Sequence, residues 1–217
     1  IDRDNVELFD LSTKLEVLER NLSFEEKHSF VVKIRAGIRN NSAGYIRFSY
    51  NYADKDKGFI LFFVEDITKE IELDPVTNHF NRRGFIRRVN SLLHSQSFKR
   101  SDYALLYFNI TGFKALNETF GHKKCDELLK KILNGILYSD LRPIVASRVE
   151  ADNFAVLTRK DYVDIEAIKD FTIFKDYDEF GDVYTKCGIY YLSDEDNINS
   201  SEMYDRAKLA IDYCIDD

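Results

Sequence analysis

Tryptophan is absent from this chain, methionine occurs once and proline twice, and one of the two prolines, Pro75, marks a boundary. Three cysteines, Cys125, Cys187 and Cys214, are odd in number and widely separated. That spacing excludes a disulfide framework or a zinc knuckle, and leaves them as reduced packing residues of a cytosolic domain. No apolar run approaches the roughly 18 residues of a membrane span. No signal peptide is visible, and a chain that opens on Ile reads as cut from a longer one, through which it could be membrane-attached. Positive charge is not in excess: the net charge of −7 argues against general binding to nucleic acid or an anionic membrane. No nucleophile elbow, phosphate-binding loop or dinucleotide-binding glycine pattern occurs, and His28, His79 and His94 have no partners at catalytic or metal spacing. What the chain does have is 44% hydrophobic and 14% aromatic residues in 217, enough for one large packed domain or two small ones.

Val6, Phe9, Leu11, Leu15, Leu18 and Leu22 recur at helical spacing. Three strand-like runs follow, Ser29–Ile38, Tyr45–Tyr52 and Phe59–Glu65, separated by turn-forming stretches at 40–44 and 53–58. Ile46, Phe48 and Tyr50 alternate with polar residues, which predicts one buried and one wet face. A helix, a meander and the ending Glu65-Asp66-Ile67-Thr68 together resemble the C-terminal half of a PAS sensor domain, placed at residues 1–68. Residues 69–73 read equally as a connecting helix or a plain linker.

Asp74-Pro-Val-Thr-Asn-His-Phe-Asn-Arg-Arg83 opens the second unit, 74–217. The helix behind it buries Phe85, Val89, Leu92 and Leu93, and its arginines (Arg82, Arg83, Arg87 and Arg88) read as a solvated face. Tyr103–Phe108 predicts a buried strand. Asp126–Tyr138 predicts a helix with Leu128, Leu129, Ile132, Leu133 and Ile136 inward. Pro143–Ala146 and Phe154–Leu157 flank a polar turn at 149–153, the pattern of a hairpin. Tyr184–Leu192 is a further strand, and Met203, Ala207, Ala210, Ile211 and Cys214 mark a last helix. The order implies an α+β fold, with helices packed on a central antiparallel sheet.

Asn109-Ile-Thr-Gly-Phe-Lys114, Asn117-Glu118, Gly121-His122-Lys-Lys-Cys-Asp126 and Arg148-Val-Glu-Ala-Asp-Asn-Phe154 resemble, in order and spacing, the GGDEF family of diguanylate cyclases in bacterial cyclic di-GMP signalling. The resemblance implies a nucleotidyl-cyclase-like α/β sandwich following the PAS-like meander, and a chain that stops before the family's last helix is complete. That family joins two GTP molecules, with Mg²⁺ held by carboxylates so that attacking and leaving oxygens are stabilised together. The two metal carboxylates map onto Asn109 and Asp152, and a further acidic position onto Thr111. Asp152 is intact. An amide at 109 offers one oxygen and no charge to an ion that demands hard anionic donors.

The family's two glycines map onto Glu150 and Ala151, and its second acid onto Asn153, ahead of Phe154. Glu150 brings negative charge toward the phosphates, and at roughly 4 Å with an effective dielectric near 20 like charges repel by about 4 kcal/mol. A rescue in which Glu150 and Asp152 share a metal is the competing reading. The resemblance assigns the guanine edge to Asn117 and Asp126, an amide and a carboxylate suited to guanine's acceptor and N–H donors. It assigns the phosphates to a loop carrying Phe113 and Lys114, and gives His122 a structural role. Cys125 replaces a glycine and crowds the pocket. The family's product-inhibition residues map onto Leu141 and Ile144, and a phosphate-contacting lysine onto Ile215, so both features are lost.

The reading is therefore a cytoplasmic signalling protein with a degenerate GGDEF domain, working by GTP binding or dimer geometry rather than by cyclisation. The alternative is an active cyclase with an altered metal site. The resemblance further implies a homodimer, GTP with Mg²⁺ as the candidate ligand, and a following EAL domain as a partner.

Overall fold

Apolar residues on alternate positions, flanked by helices with one apolar stripe, give this chain two compact units, Ile1–Ile71 and Glu72–Asp217. The computed structural model describes residues 3–34, 44–169 and 178–212. Residues 35–38 of the first expected strand, the turn at 40–43, Cys214 and Ile215 lie outside the described residues.

In the first unit the single expected helix is two, α1 (Arg3–Ser12) and α2 (Leu15–Phe24). The break falls where Lys14 turns extended (ψ 134°) and the Thr13 hydroxyl donates back to the Phe9 carbonyl at 2.8 Å, a side-chain alternative to continuing the helix. β1 (Lys27–Ile34), β2 (Gly44–Asp54) and β3 (Phe59–Asp66) then form an antiparallel meander in that order. Leu18 and Leu22 of α2 cover Tyr50, whose hydroxyl accepts from Asn21 at 2.9 Å. Phe9, Phe30 and Phe48 form a second contact layer, with Phe30 stacked on Phe48 at 5.4 Å. The expected wet face of β2 is not clean: Ser49 is buried at 1% exposure, because so short a side chain opposite Phe63 is shaded by its neighbours.

The Glu-Asp-Ile-Thr ending has a local physical logic. Asp66 accepts the Thr68 N–H at 2.9 Å, Ile67 is buried, and the Thr68 hydroxyl accepts the Tyr45 N–H at 2.9 Å. The next helix, α3 (Thr68–Glu72), starts there.

The second unit opens on a tight turn in which Asp74 accepts from both the N–H and the hydroxyl of Thr77, at 2.8 and 2.9 Å. Asn78 follows with positive φ (57°), a conformation that asparagine tolerates better than most residues. Asn81 caps α4 (Arg82–Leu93) by accepting the Gly84 N–H at 3.1 Å. The arginines of α4 are not uniformly solvated. Arg87 pairs with Glu72, which is only 3% exposed, since a buried carboxylate needs a charge partner.

Around β4 (Tyr103–Ile110) the unit builds a four-stranded antiparallel sheet in the order β5–β6–β4–β7, with β5 (Val145–Glu150), β6 (Asn153–Arg159) and β7 (Thr185–Tyr191). Between β4 and β5 lie α5 (Phe113–Phe120) and α6 (His122–Leu137). After β6 come the short α7 (Ile165–Lys169) and, past β7, α8 (Ser200–Asp212). Strand alternation splits the core into two layers. Leu106, Phe108, Ile110, Phe154 and Val156 pack against Leu128, Leu129, Ile132, Leu133 and Ile136 of α6. Leu105, Tyr107, Ala155 and Leu157 pack against Phe85 and Val89 of α4 and Met203, Tyr204 and Ala207 of α8. Tyr204 is fully buried and was not among the expected core residues. Ala210 and Ile211 are half-buried. α8 lies so close to β7 that a Cβ on Gly188 would come within 2.0 Å of the Ala207 carbonyl oxygen. Among the described residues no helix is long and apolar enough to cross a membrane.

Candidate functional site

β4 ends at Ile110, and Gly112, left-handed at φ 71°, turns the chain directly into α5. Phe113 and Lys114 therefore open a helix rather than lie in a loop, which is a correction to the sequence reading. The glycine makes the turn tight enough for helix to follow strand at once. The first-turn N–H groups of a helix lack intrahelical partners and favour anions. Gly121 separates α5 from α6 with φ 81°, so Asn117 and Asp126 sit on two consecutive helices.

The β5–β6 hairpin closes on two residues, Ala151 and Asp152, rather than on the expected five. Pairing of Arg148 with Phe154 and of Glu150 with Asn153, across a bulge, carries both strands nearly to the tip. Ala151 keeps the positive φ (42°) that a glycine would adopt freely, and a side chain there costs roughly 1–2 kcal/mol.

Register then decides the chemistry. Asn109 lies opposite Asn153 in the β4–β6 ladder. Its Nδ2 donates to Asp152 Oδ2 at 3.1 Å and to Asn153 Oδ1 at 2.8 Å, and the Ile110 N–H donates to the Asp152 carbonyl at 3.2 Å. The ionised Asp152 carboxylate offers only acceptors, so the amide must present nitrogen to it. Where a divalent ion would require converging anionic oxygens, the site presents an N–H donor. These residues do not fit Mg²⁺. Among the described residues no group of three or more His, Cys, Asp or Glu side chains could hold a metal. Burial pushes the Asp152 carboxyl above its ordinary range, opposed by hydrogen bonds from the backbone and Asn109 and by the Arg148 charge, and reinforced by Glu150.

A cavity of about 660 Å³ is lined by Phe113, Lys114, Asn117, Glu118, His122, Asp126, Leu129, Arg148, Ala151 and Asp152. Residues assigned from separate motifs thus meet in one place of a size suited to a small ligand. Other assigned residues, Asn109 and Thr111 among them, do not line it. Glu150 is exposed, though its charge reaches Asp152. Asn153 is held by Asn109, Phe154 is fully buried among the α6 contacts, and Cys125 is buried, with its thiol pushed up by that burial. Leu141 is buried and Ile144 is 40% exposed, neither in the cavity.

Arg148, like Glu118, is a lining residue to which the sequence reading gave no role. It donates to both Asp74 oxygens, at 3.2 and 3.0 Å, and to the Ala151 carbonyl at 2.5 Å. The ion pair fastens the hairpin to the opening turn of the unit. Both residues stood in the quoted motifs, but 74 positions of separation gave no sign that they meet.

A family model described as diguanylate cyclase, GGDEF domain, matches residues 71–212. The chain belongs to the GGDEF domain family. It is 33% identical over 99 residues to the probable diguanylate cyclase DgcT of Escherichia coli, covering 45% of this chain and 21% of that protein. With the diguanylate cyclase VdcA of Vibrio cholerae it shares 23% over 143 residues, covering 65% of this chain and 41% of that one. The chain thus spans less than half the length of either relative. Among solved structures, the FimX GGDEF domain from Pseudomonas aeruginosa superposes with TM-score 0.55 at 18% identity, covering 65% of this chain and 91% of that one. A diguanylate cyclase/phosphodiesterase from Caldicellulosiruptor saccharolyticus gives 0.53 at 20%, covering 65% and 85%. These two likenesses concern the fold alone.

Proposed function

We propose that this chain is a regulatory module of cyclic di-GMP signalling whose GGDEF domain does not cyclise GTP and instead binds a guanine nucleotide. The observation that carries the reading is the Asn109 amide donating to Asp152 at 3.1 Å, in the position where a metal-dependent transfer needs a second carboxylate. Asn117 and Asp126 on the wall of the 660 Å³ cavity support retention of guanine recognition, with Phe113 and Lys114 toward the phosphates. Residues 1–68 are read as a PAS-like sensor, 69–73 as the connection and 74–217 as the output domain. The whole is read as a cytoplasmic homodimer whose signal can pass to an EAL domain.

An active diguanylate cyclase with an altered metal site is the second reading, favoured by the retained Asp152. Incubation with GTP and Mg²⁺ or Mn²⁺ separates the two. No cyclic di-GMP above the level of an Asp152→Ala variant is expected, and clear turnover above that level overturns the proposal.

A further inference from the structure

Cavity charge and the missing metal position bear on which guanine ligand fits. Glu118, Asp126 and Asp152 line the cavity against Lys114 and Arg148. Arg148 is already committed to Asp74 at 3.0 Å, so among the described residues Lys114 is the only lysine or arginine of the lining outside that pair. A triphosphate carries about four negative charges and needs a bound cation to enter such surroundings. The site that would orient this cation is closed by the Asn109 amide, which donates to Asp152 and Asn153. The base itself meets no such penalty, since guanine's N1–H and N2–H donors satisfy the charge of Asp126. We infer that the cavity selects a guanine ligand of low charge, guanosine monophosphate or the nucleoside, over GTP, and takes it without a divalent ion. This rests on the guanine-binding reading and narrows it.

Calorimetry on the 217-residue chain tests it, with guanosine monophosphate, guanosine and GTP, each in EDTA and in Mg²⁺, and adenosine monophosphate as the control. Guanosine monophosphate is expected to bind at least about tenfold more tightly than GTP in EDTA, where like charges repel the triphosphate most. Its affinity should be the same in Mg²⁺ and lost in Asp126→Asn. Asp152→Asn removes one charge at nearly constant shape, and should shrink the gap between the two nucleotides several-fold. GTP binding more tightly than the monophosphate in either buffer, or a gap that ignores Asp152→Asn, overturns the selectivity while leaving guanine recognition intact. Absence of binding by every guanine ligand, with the variants folded, overturns guanine recognition itself and the selectivity with it.

Discussion

Asn109 Nδ2 lies 3.1 Å from Asp152 Oδ2, and this hydrogen bond ties the end of the central strand to the hairpin tip. The resemblance places an acid at position 109, and a neutral donor stands there instead. Restoring the acid should therefore destabilise the protein before it restores anything else. In Asn109→Asp two carboxylates face one another and Asn153 loses its donor. The expected cost in EDTA is about 2 kcal/mol, measured by urea denaturation. Added Mn²⁺ should recover part of it, and a variant as stable as the parent in EDTA would contradict the assigned geometry.

Ala151 occupies a left-handed turn position at φ 42°. Glycine adopts that conformation without a Cβ penalty, so Ala151→Gly should stabilise by about 1 kcal/mol, reduced by the greater freedom of the unfolded glycine. Chemical denaturation reads the sign directly, and a destabilised variant would mean that the turn is not strained.

Arg148 and Asp74 have side chains only 12% and 13% exposed. Removing either partner of a nearly buried pair strands the other charge and a hydrogen-bonded turn. Arg148→Ala and Asp74→Ala should each cost about 3 kcal/mol. The double variant should cost clearly less than their sum, because both remove one interaction. Additive losses in a double-mutant cycle would show the pair to be uncoupled.

Asp152 gives a pH dependence whose sign follows from its surroundings. Burial raises its folded pKa above the unfolded value, so its ionisation opposes folding. The stability it contributes is full below the unfolded pKa of about 3.9 and is lost as pH rises through the folded pKa. The stability of Asp152→Asn relative to the parent should therefore increase from about pH 3 to pH 7, followed by denaturation at a series of pH values. A difference independent of pH, or one that narrows, would count against a strained carboxylate at the tip.

Much of the second unit was legible because alternation and helical spacing mark buried faces locally. Leu128, Leu129, Ile132, Leu133 and Ile136 declared the inner face of α6, and all five are buried. Less was legible where a single side chain or a distant partner decides. Thr13 splits a continuous helical pattern by bonding back to its own turn, and Arg87 leaves the solvated face of α4 because Glu72 lies beneath it. Tyr204, between Met203 and Asp205, stayed hidden, since its burial depends on Tyr107 across the interface, 5.3 Å away between ring centroids.

The residue types themselves determined the chemistry available: a neutral amide at 109 beside the Asp152 carboxylate, a side chain at 151 where the turn favours glycine, and an amide and an acid at 117 and 126. Proximity was decided only by the tertiary structure. The β4–β6 register sets Asn109 against the hairpin tip, and the packing of α5 and α6 turns Asn117 and Asp126 toward the same cavity as Asp152. Local pattern fixes which face a side chain takes, but the neighbour it meets depends on strand register and helix packing, and those arise from contacts tens of residues apart.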